Sequence, residues 1–107
     1  MTDAVLLYMT ASSDDEGRRI GRALVQDNLV ACVNVLAPMT SLFQWEGAVQ
    51  DETEVPVIAK TTSDRVDAVV KRIRDLHSYD VPCVVAVPIS AGDPDFLTWI
   101  ADTVNTA

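Results

Sequence analysis

The sequence is poor in positive charge and in aromatic residues. Eight lysines and arginines stand against sixteen aspartates and glutamates, which gives a formal charge of -8, and only 6% of the residues are aromatic. Proteins that bind nucleic acids or anionic membrane surfaces need clustered basic residues to neutralise phosphate. We therefore expect neither a nucleic acid nor a membrane among the partners of this chain.

The sequence also lacks long apolar runs and a cysteine framework. No apolar run reaches the roughly 18 residues of a bilayer-spanning helix. The first residues, 1–5, lack the basic start and the cleavage pattern of a secretory signal peptide. Cys32 and Cys83 are the only cysteines, so no disulfide scaffold is indicated and both are expected as reduced thiols. These features predict a cytoplasmic location.

Patterns that support catalysis are missing as well. The sequence has four glycines and one histidine, His77, and it contains no glycine-rich phosphate loop or dinucleotide fingerprint. A single histidine with a distant cysteine lacks the usual orienting group, although Asp80 stands three residues further on. We expect a protein without enzymatic activity and without an obligatory cofactor. An enzyme that uses Cys32 or His77 is the third hypothesis, after the two that close this subsection.

What the sequence does have is aliphatic bulk. Hydrophobic residues make up 49% of the 107 residues, and a chain of this length buries about 65% of its surface when it folds. Residues 1–107 are therefore expected to form one domain.

The pattern predicts four strands and three helices in the order βαββαβα. Pro56 falls inside the third strand, and this predicts an edge strand or a bulge because proline cannot donate to the ladder. The chain is expected to turn back as a hairpin at Gly47. The predicted elements are a strand at 4–9, a helix at 13–28, a strand at 29–36, a strand at 54–60, a helix from 63 to about 76, a strand at 83–87 and a short helix opened by Asp93 and Pro94.

This order matches the α+β, ferredoxin-like βαββαβ sandwich with an antiparallel sheet, a long hairpin between its second and third strands and an added C-terminal helix. The right-handed crossover rule then places Met9, the loop 77–82 and Cys83 at one end of the sheet. Cys32 and Lys60 are expected toward the opposite end.

Met9, His77 and Cys83 together offer a thioether, an imidazole and a thiol, a soft ligand set that suits copper. The alternative is structural. Met9 and Cys83 stand at strand ends, where such residues often belong to the core, and His77 at a helix end can cap the last carbonyl groups.

Cys32 and Lys60 allow two interpretations in the same way. A neighbouring cation would favour the Cys32 thiolate, but a cysteine in an apolar strand is more often a small core residue. Lys60 with Thr61 is the best anion contact if a cleft forms between subunits. Tyr79 and Trp99 either line a pocket or pack at an interface, and Trp45, Glu46 and Gly47 are interpreted as an interface anchor and its turn.

Five segments, in order and spacing, resemble the CutA family of divalent-cation tolerance proteins. The resemblance implies a ferredoxin-like subunit in a tight cytoplasmic homotrimer related to the PII signalling proteins, with the long hairpin joining neighbouring sheets. The segments are Ala31-Cys32-Val33-Asn34, Ser41-Leu42-Phe43-Gln44-Trp45-Glu46-Gly47, Lys60-Thr61, His77-Ser78-Tyr79-Asp80-Val81-Pro82 and Phe96-Leu97-Thr98-Trp99-Ile100.

The sequence departs from the family pattern at three positions. It has Ser78 where the family usually has proline, Cys83 where it has glutamate, and Pro56 where it has leucine or a similar residue. The change at Cys83 removes a carboxylate from the loop 77–82 and its flank.

Two functions follow as hypotheses. The first is a homotrimer that binds divalent ions or copper and contributes to metal tolerance. The second is a PII-like signalling or scaffold module that holds a small anionic ligand or a protein partner in an inter-subunit cleft of Cys32, Lys60, Thr61, Tyr79 and Asp80. Fold analogy alone does not establish the second.

Overall fold

The computed structural model describes residues 3–105. These residues form five strands, three α-helices and one 3-10 turn. The strands and helices are β1 Ala4–Ala11, α1 Asp14–Gln26, β2 Cys32–Val35, β3 Met39–Trp45, β4 Ala48–Thr62, α2 Val66–Leu76, β5 Val84–Pro88 and α3 Pro94–Val104, and the turn is Ser63–Arg65.

The strands form an antiparallel sheet in the order β2-β4-β1-β5, with β3 paired to the first half of β4. The molecule is thus a mixed α+β fold with an antiparallel sheet and three helices. The seven predicted elements occur in the predicted order, but a fifth strand, β3, lies between the second and third predicted strands. The predicted strand at 54–60 is the second half of the 15-residue strand β4.

The predicted hairpin at Gly47 is confirmed. Trp45 pairs with Ala48 across a two-residue turn in which Glu46 has φ 52° and Gly47 has φ 80°. Positive φ at both turn residues matches the twist of a β-hairpin, and glycine adopts it without steric strain.

Pro56 does not lie on an edge strand, so that part of the prediction is wrong. It pairs with Thr10 of β1, inside the sheet. Its carbonyl accepts a hydrogen bond from the Leu36 N–H at 3.0 Å, just where β2 has ended and β3 has not begun. The missing proline N–H therefore falls at an interruption of the ladder, where the sheet loses no regular bond.

The strand predicted at 29–36 is shorter than expected. Asn28 has φ 56°, and the N–H groups of Leu29 and Val30 bond back to the Leu24 carbonyl at 3.0 and 3.4 Å. These apolar residues therefore close the end of α1, and β2 begins only at Cys32. Apolar character alone does not distinguish a helix closure from a strand.

One face of the sheet is covered by α1 and α2, and α3 packs on a second, smaller cluster. On α3, Phe96 is 42% exposed, whereas Ile100 and Val104 are buried. The main core contains Leu7, Met9, Ala11, Ile20, Leu24, Val30, Val55, Val57, Ala59, Val69 and Ile73, and the smaller one contains Ala4, Ala31, Ile100 and Val104.

The alternate residues of the strands form what we call the open face of the sheet. Residues that pair across neighbouring strands point to the same face. On this face, Val85 and Val87 of β5 are 53% and 51% exposed. The open face consists of Leu6, Tyr8, Cys32, Asn34, Ile58, Lys60, Val85 and Val87.

None of the helices in residues 3–105 is long and apolar enough to cross a membrane.

Helix α1 packs tightly against β2 at Gly21, and this close approach yields a prediction. A Cβ added at Gly21 would lie 2.8 Å from Cγ1 of Val33, a stiff β-branched side chain. We expect Gly21→Ala to lower the free energy of unfolding by about 1 to 3 kcal/mol, despite the better helix propensity of alanine. Chemical denaturation measures this change.

Gly92→Ala is the matched control, because its added Cβ meets only Leu97 at an ordinary 3.5 Å. The double variant Gly21→Ala, Val33→Ala should recover part of the loss. If Gly21→Ala alone is as stable as the parent protein, the close approach of α1 to β2 is not a constraint.

Candidate functional site

A buried carboxylate ties the start of α1 to the loop that follows α2. Glu16 is 6% exposed, and its Oε1 accepts hydrogen bonds from the N–H and the hydroxyl of Ser12, both at 2.9 Å. Its Oε2 accepts the Ser78 N–H at 2.9 Å. Burial by itself raises the pKa of Glu16, but the bonds from Ser12 and Ser78 outweigh it and lower the pKa to about 2.

His77 lies beside this carboxylate with no exposed side-chain surface. Its Nε2 is 2.8 Å from the Thr10 carbonyl oxygen, which only accepts, so Nε2 carries the proton. Its Nδ1 accepts the Tyr79 N–H at 3.0 Å and is unprotonated. Both ring nitrogens are thus engaged by backbone groups, and Glu16 Oε1 stands 3.6 Å from Nε2.

A second carboxylate, Glu54, lies 7% exposed at the same end of the sheet. The Tyr79 hydroxyl donates to its Oε2 at 3.2 Å. Burial and the charge of Glu54 raise the pKa of Tyr79 and also that of the exposed Cys83 thiol, while a hydrogen bond with the Thr10 side chain lowers the latter in part. At neutral pH both groups are therefore protonated.

The structure gathers Met9, the loop 77–82 and Cys83 at one end of the sheet, as the crossover argument predicted. Met9 pairs with Val84, the neighbour of Cys83. The three side chains differ in access, however. Met9 is 2% exposed within the core, His77 has both ring nitrogens engaged, and Cys83 is exposed. In residues 3–105 no three or more His, Cys, Asp or Glu side chains are grouped to hold a metal ion, and a metal role for this set stays a prediction.

Cys32 and Lys60 come together on the open face. They are direct cross-strand partners. Lys60 also pairs with Leu6 of β1, three residues before Met9. The Lys60 Nζ lies 4.0 Å from the Cys32 sulfur and donates to Asn34 Oδ1 at 3.0 Å.

The other residues assigned to the predicted inter-subunit cleft do not join this pair within one chain. Thr61 is fully buried and donates to the Leu29 carbonyl at 2.7 Å. Tyr79 and Asp80 belong to the loop at the other end of the sheet. A cleft that unites these residues therefore needs a second chain, and its existence stays a prediction.

The residues predicted for the trimer interface lie at the surface of this chain. Trp45 is 57% exposed next to the turn residues Glu46 and Gly47, and Trp99 is 44% exposed. Trp99 lies against Phe96, with ring centroids 5.4 Å apart. Their interface role is a prediction that one chain does not test.

Sequence reasoning missed the two buried glutamates. Glu16 stands in the first turn of α1, where Ser13 caps the helix and accepts the Glu16 N–H at 3.1 Å. A signal was present, because Glu16 stands at the spacing of Ile20 and Leu24 and so shares their inward stripe. Glu54 carried no comparable signal.

Comparison with known proteins shows one family throughout. A family model described as CutA1 divalent ion tolerance protein matches residues 5–103. The "Divalent-cation tolerance protein CutA" of Archaeoglobus fulgidus is 42% identical over 99 residues, which cover 92% of this chain and 96% of that protein. The protein of the same name from Thermus thermophilus is 36% identical over 105 residues, 98% of this chain and 100% of that one.

The "Protein CutA homolog" of Xenopus laevis is 39% identical over 97 residues, 91% of this chain, but the chain spans only 64% of that protein's length. Solved structures agree in fold. The "Periplasmic divalent cation tolerance protein CutA" from Archaeoglobus fulgidus superposes with a TM-score of 0.92 at 40% identity, covering 95% of this chain and 99% of that one. CutA from Xylella fastidiosa gives 0.94 at 34% identity, covering 97% and 100%.

The Glu16 network predicts a pH-dependent stability. Because its pKa is lowered in the folded state, the stabilisation is complete above the ordinary glutamate pKa of about 4.3 and is lost as the pH falls toward 2. We expect Glu16→Gln to lower the free energy of unfolding at pH 7 by about 1 to 3 kcal/mol. The difference from the parent should shrink at pH 2 to 3, as measured by denaturant unfolding across pH.

Asp15→Asn, one residue earlier and exposed, is the matched control and should change stability by about 0.5 kcal/mol or less. A Glu16→Gln loss that is the same at pH 2 as at pH 7 would contradict the lowered pKa.

Proposed function

The chain belongs to the CutA1 divalent ion tolerance family, and on that premise we propose that it acts as a non-catalytic, cytoplasmic homotrimer that binds divalent metal ions, copper among them. Family membership along residues 5–103 is the observation that carries this proposal. The metal is cargo in this proposal and not a resident cofactor.

The donor chemistry at the end of the sheet supports metal binding. Cys83 is exposed, and the charge of Glu54 is close enough to raise the pKa of its thiol. A soft sulfur and a hard carboxylate oxygen are therefore near each other. A divalent cation bound there would displace the thiol proton and offset the charge of Glu54. Two donors leave a metal ion incompletely coordinated, so water or another copy of the chain supplies the remaining ligands.

In this proposal His77 is a positioning residue. Its two backbone bonds, to Thr10 and Tyr79, hold the loop 77–80 over the end of β1. The formal charge of -8 adds a field that concentrates cations around the molecule.

Assembly as a homotrimer is supported by apolar surface that one chain leaves uncovered. On the β3-β4 hairpin, Leu42 is 68%, Trp45 57% and Val49 71% exposed. On the open face, Val85 and Val87 are about half exposed. Exposed apolar residues grouped in this way are typical of protein interfaces.

The trimer has a direct test in light scattering, where we expect three times the 11.6 kDa mass of one chain. Val49→Glu should reduce the particle mass, because the added charge would be buried without a partner. Val25→Glu, at a residue of α1 that is 40% exposed, is the control and should leave the trimer intact. A monomeric parent protein would refute the trimer.

Metal binding is tested by calorimetric titration with Cu²⁺ and Zn²⁺. We expect Cys83→Ser to weaken Cu²⁺ binding by about tenfold or more, since the sulfur ligand is lost. Cys32→Ser, at the other end of the sheet, should bind as the parent does. Equal affinity of the parent and Cys83→Ser would remove the thiol from the site, and equal affinity of His77→Ala would show that the loop held by His77 plays no part in binding.

The second candidate function is a PII-like module that holds a small anion. One observation favours it: within residues 3–105 Lys60 forms no salt bridge, and its Nζ contacts only Asn34 and Cys32 among the hydrogen bonds. A thermal-shift screen separates the two candidates. Stabilisation by anionic metabolites but not by metal ions, and its loss in Lys60→Gln, would favour the anion-binding module.

The cytoplasmic location is supported by the two unpaired cysteines, which suit a reducing compartment. Relatives differ in this respect, since the Arabidopsis thaliana protein is named chloroplastic and the solved Archaeoglobus fulgidus structure is titled periplasmic.

A further inference from the structure

Cys32 and Lys60 place two nucleophilic side chains, a thiol and an amine, next to each other. They are direct partners across β2 and β4, both are half-buried, and the Lys60 nitrogen already contacts the Cys32 sulfur at 4.0 Å. Asn34 holds the same nitrogen at 3.0 Å. The amine is therefore kept over the sulfur by the sheet register and by a second hydrogen bond.

We propose that Cys32 and Lys60 are a redox modification site, at which peroxide converts the thiol and the amine into a sulfur–nitrogen cross-link. This inference goes beyond the proposed function and does not depend on metal binding. A sulfenic acid condenses with a backbone nitrogen to a sulfenamide, and the Lys60 amine, 4.0 Å from the Cys32 sulfur, offers a side-chain nitrogen for the same reaction.

The chemistry takes two steps. The Cys32 thiolate attacks one oxygen of hydrogen peroxide, the O–O bond breaks, and hydroxide leaves and is protonated to water; the sulfur, now a sulfenic acid, has lost two electrons to peroxide. The Lys60 ammonium gives one proton to solvent, and its free amine attacks the sulfenic sulfur. The S–O bond breaks, hydroxide leaves and takes up the second amine proton, and the S–N bond remains. One thiol, one amine and one peroxide thus give one sulfenamide and two waters.

The other cysteine and the other lysine provide internal contrasts. Cys83 faces Thr10 and Glu54, and burial with the Glu54 charge raises the pKa of its thiol, which disfavours the thiolate that peroxide attacks. Lys71 is exposed on α2 and pairs with Asp75 at 3.4 Å. The Cys32 sulfur and the Lys60 amine therefore lie in contact, whereas Cys83 lies beside Glu54 and Lys71 pairs with Asp75.

The cross-link would have two consequences for the open face. It would join the first residue of β2 covalently to β4. It would also remove the positive charge of Lys60, the cation that the anion-binding alternative requires. A thiol reductant would reverse both, because its sulfur attacks the S–N bond and releases the lysine amine.

The test uses the Cys83→Ser protein treated with hydrogen peroxide, which excludes a Cys32–Cys83 disulfide. We expect the intact mass of one chain to fall by the mass of two hydrogen atoms and to recover with dithiothreitol. Trypsin normally releases residues 23–60 by cleavage after Lys60. In the oxidised protein that cleavage should be lost, so that residues 23–65 appear instead, while cleavage after Lys71 continues.

Lys60→Arg in the same background is the matched variant, since it keeps the positive charge but removes the primary amine. We expect it to stop at a sulfenic acid that dimedone traps. Three results would overturn the proposal. The first is gain of oxygen with cleavage after Lys60 intact in the Cys83→Ser protein. The second is the same loss of two hydrogens in Lys60→Arg, which would place the link on a backbone nitrogen. A mass of two chains would show an intermolecular disulfide and would overturn it as well.

Discussion

The hydrogen-bonded carboxylate of Glu16 is the interaction on which the end of this sheet depends. It is buried, yet its bonds to Ser12 and Ser78 keep it ionised. Through those bonds the first turn of α1 holds the chain that leaves α2, and His77 is pressed against the Thr10 carbonyl of β1. The Glu16 carboxylate therefore links segments that are far apart in sequence. Without its hydrogen bonds, a carboxylate buried in this place would be strongly destabilising.

This arrangement explains why the histidine is poorly placed as a free ligand and the cysteine is better placed. Both ring nitrogens of His77 bind backbone groups, whereas Cys83 is an exposed residue outside the Glu16 network. The residues around the loop thus divide into a buried set that fixes its shape and an exposed set, Cys83 and Tyr79, that meets solvent or a partner. The proposed metal role rests on Cys83 together with the neighbouring carboxylate of Glu54.

The two cysteines illustrate how position in one sheet changes the chemistry of one residue type. Burial and the charge of Glu54 raise the pKa of the Cys83 thiol, which keeps it protonated. Cys32 faces an amine across a strand pair. Both were expected as reduced thiols from composition alone, and nothing in the local sequence separates them. The difference arises from which strand lies next to which.

Local sequence determined much of the architecture. The apolar run of β1, the Ser13 cap, the turn at Gly47 and the Asp93-Pro94 helix start each follow from short-range rules, and the crossover rule placed Met9 and Cys83 at one end and Cys32 and Lys60 toward the other. Tertiary structure decided the rest. Pro56 lies inside the sheet because the partner strand is interrupted there, Leu29 and Val30 close a helix, and Glu16 is buried because Ser78, 62 residues away, donates to it. Short-range rules describe the chain's own backbone preferences, whereas these outcomes depend on hydrogen-bond partners that only folding brings within reach.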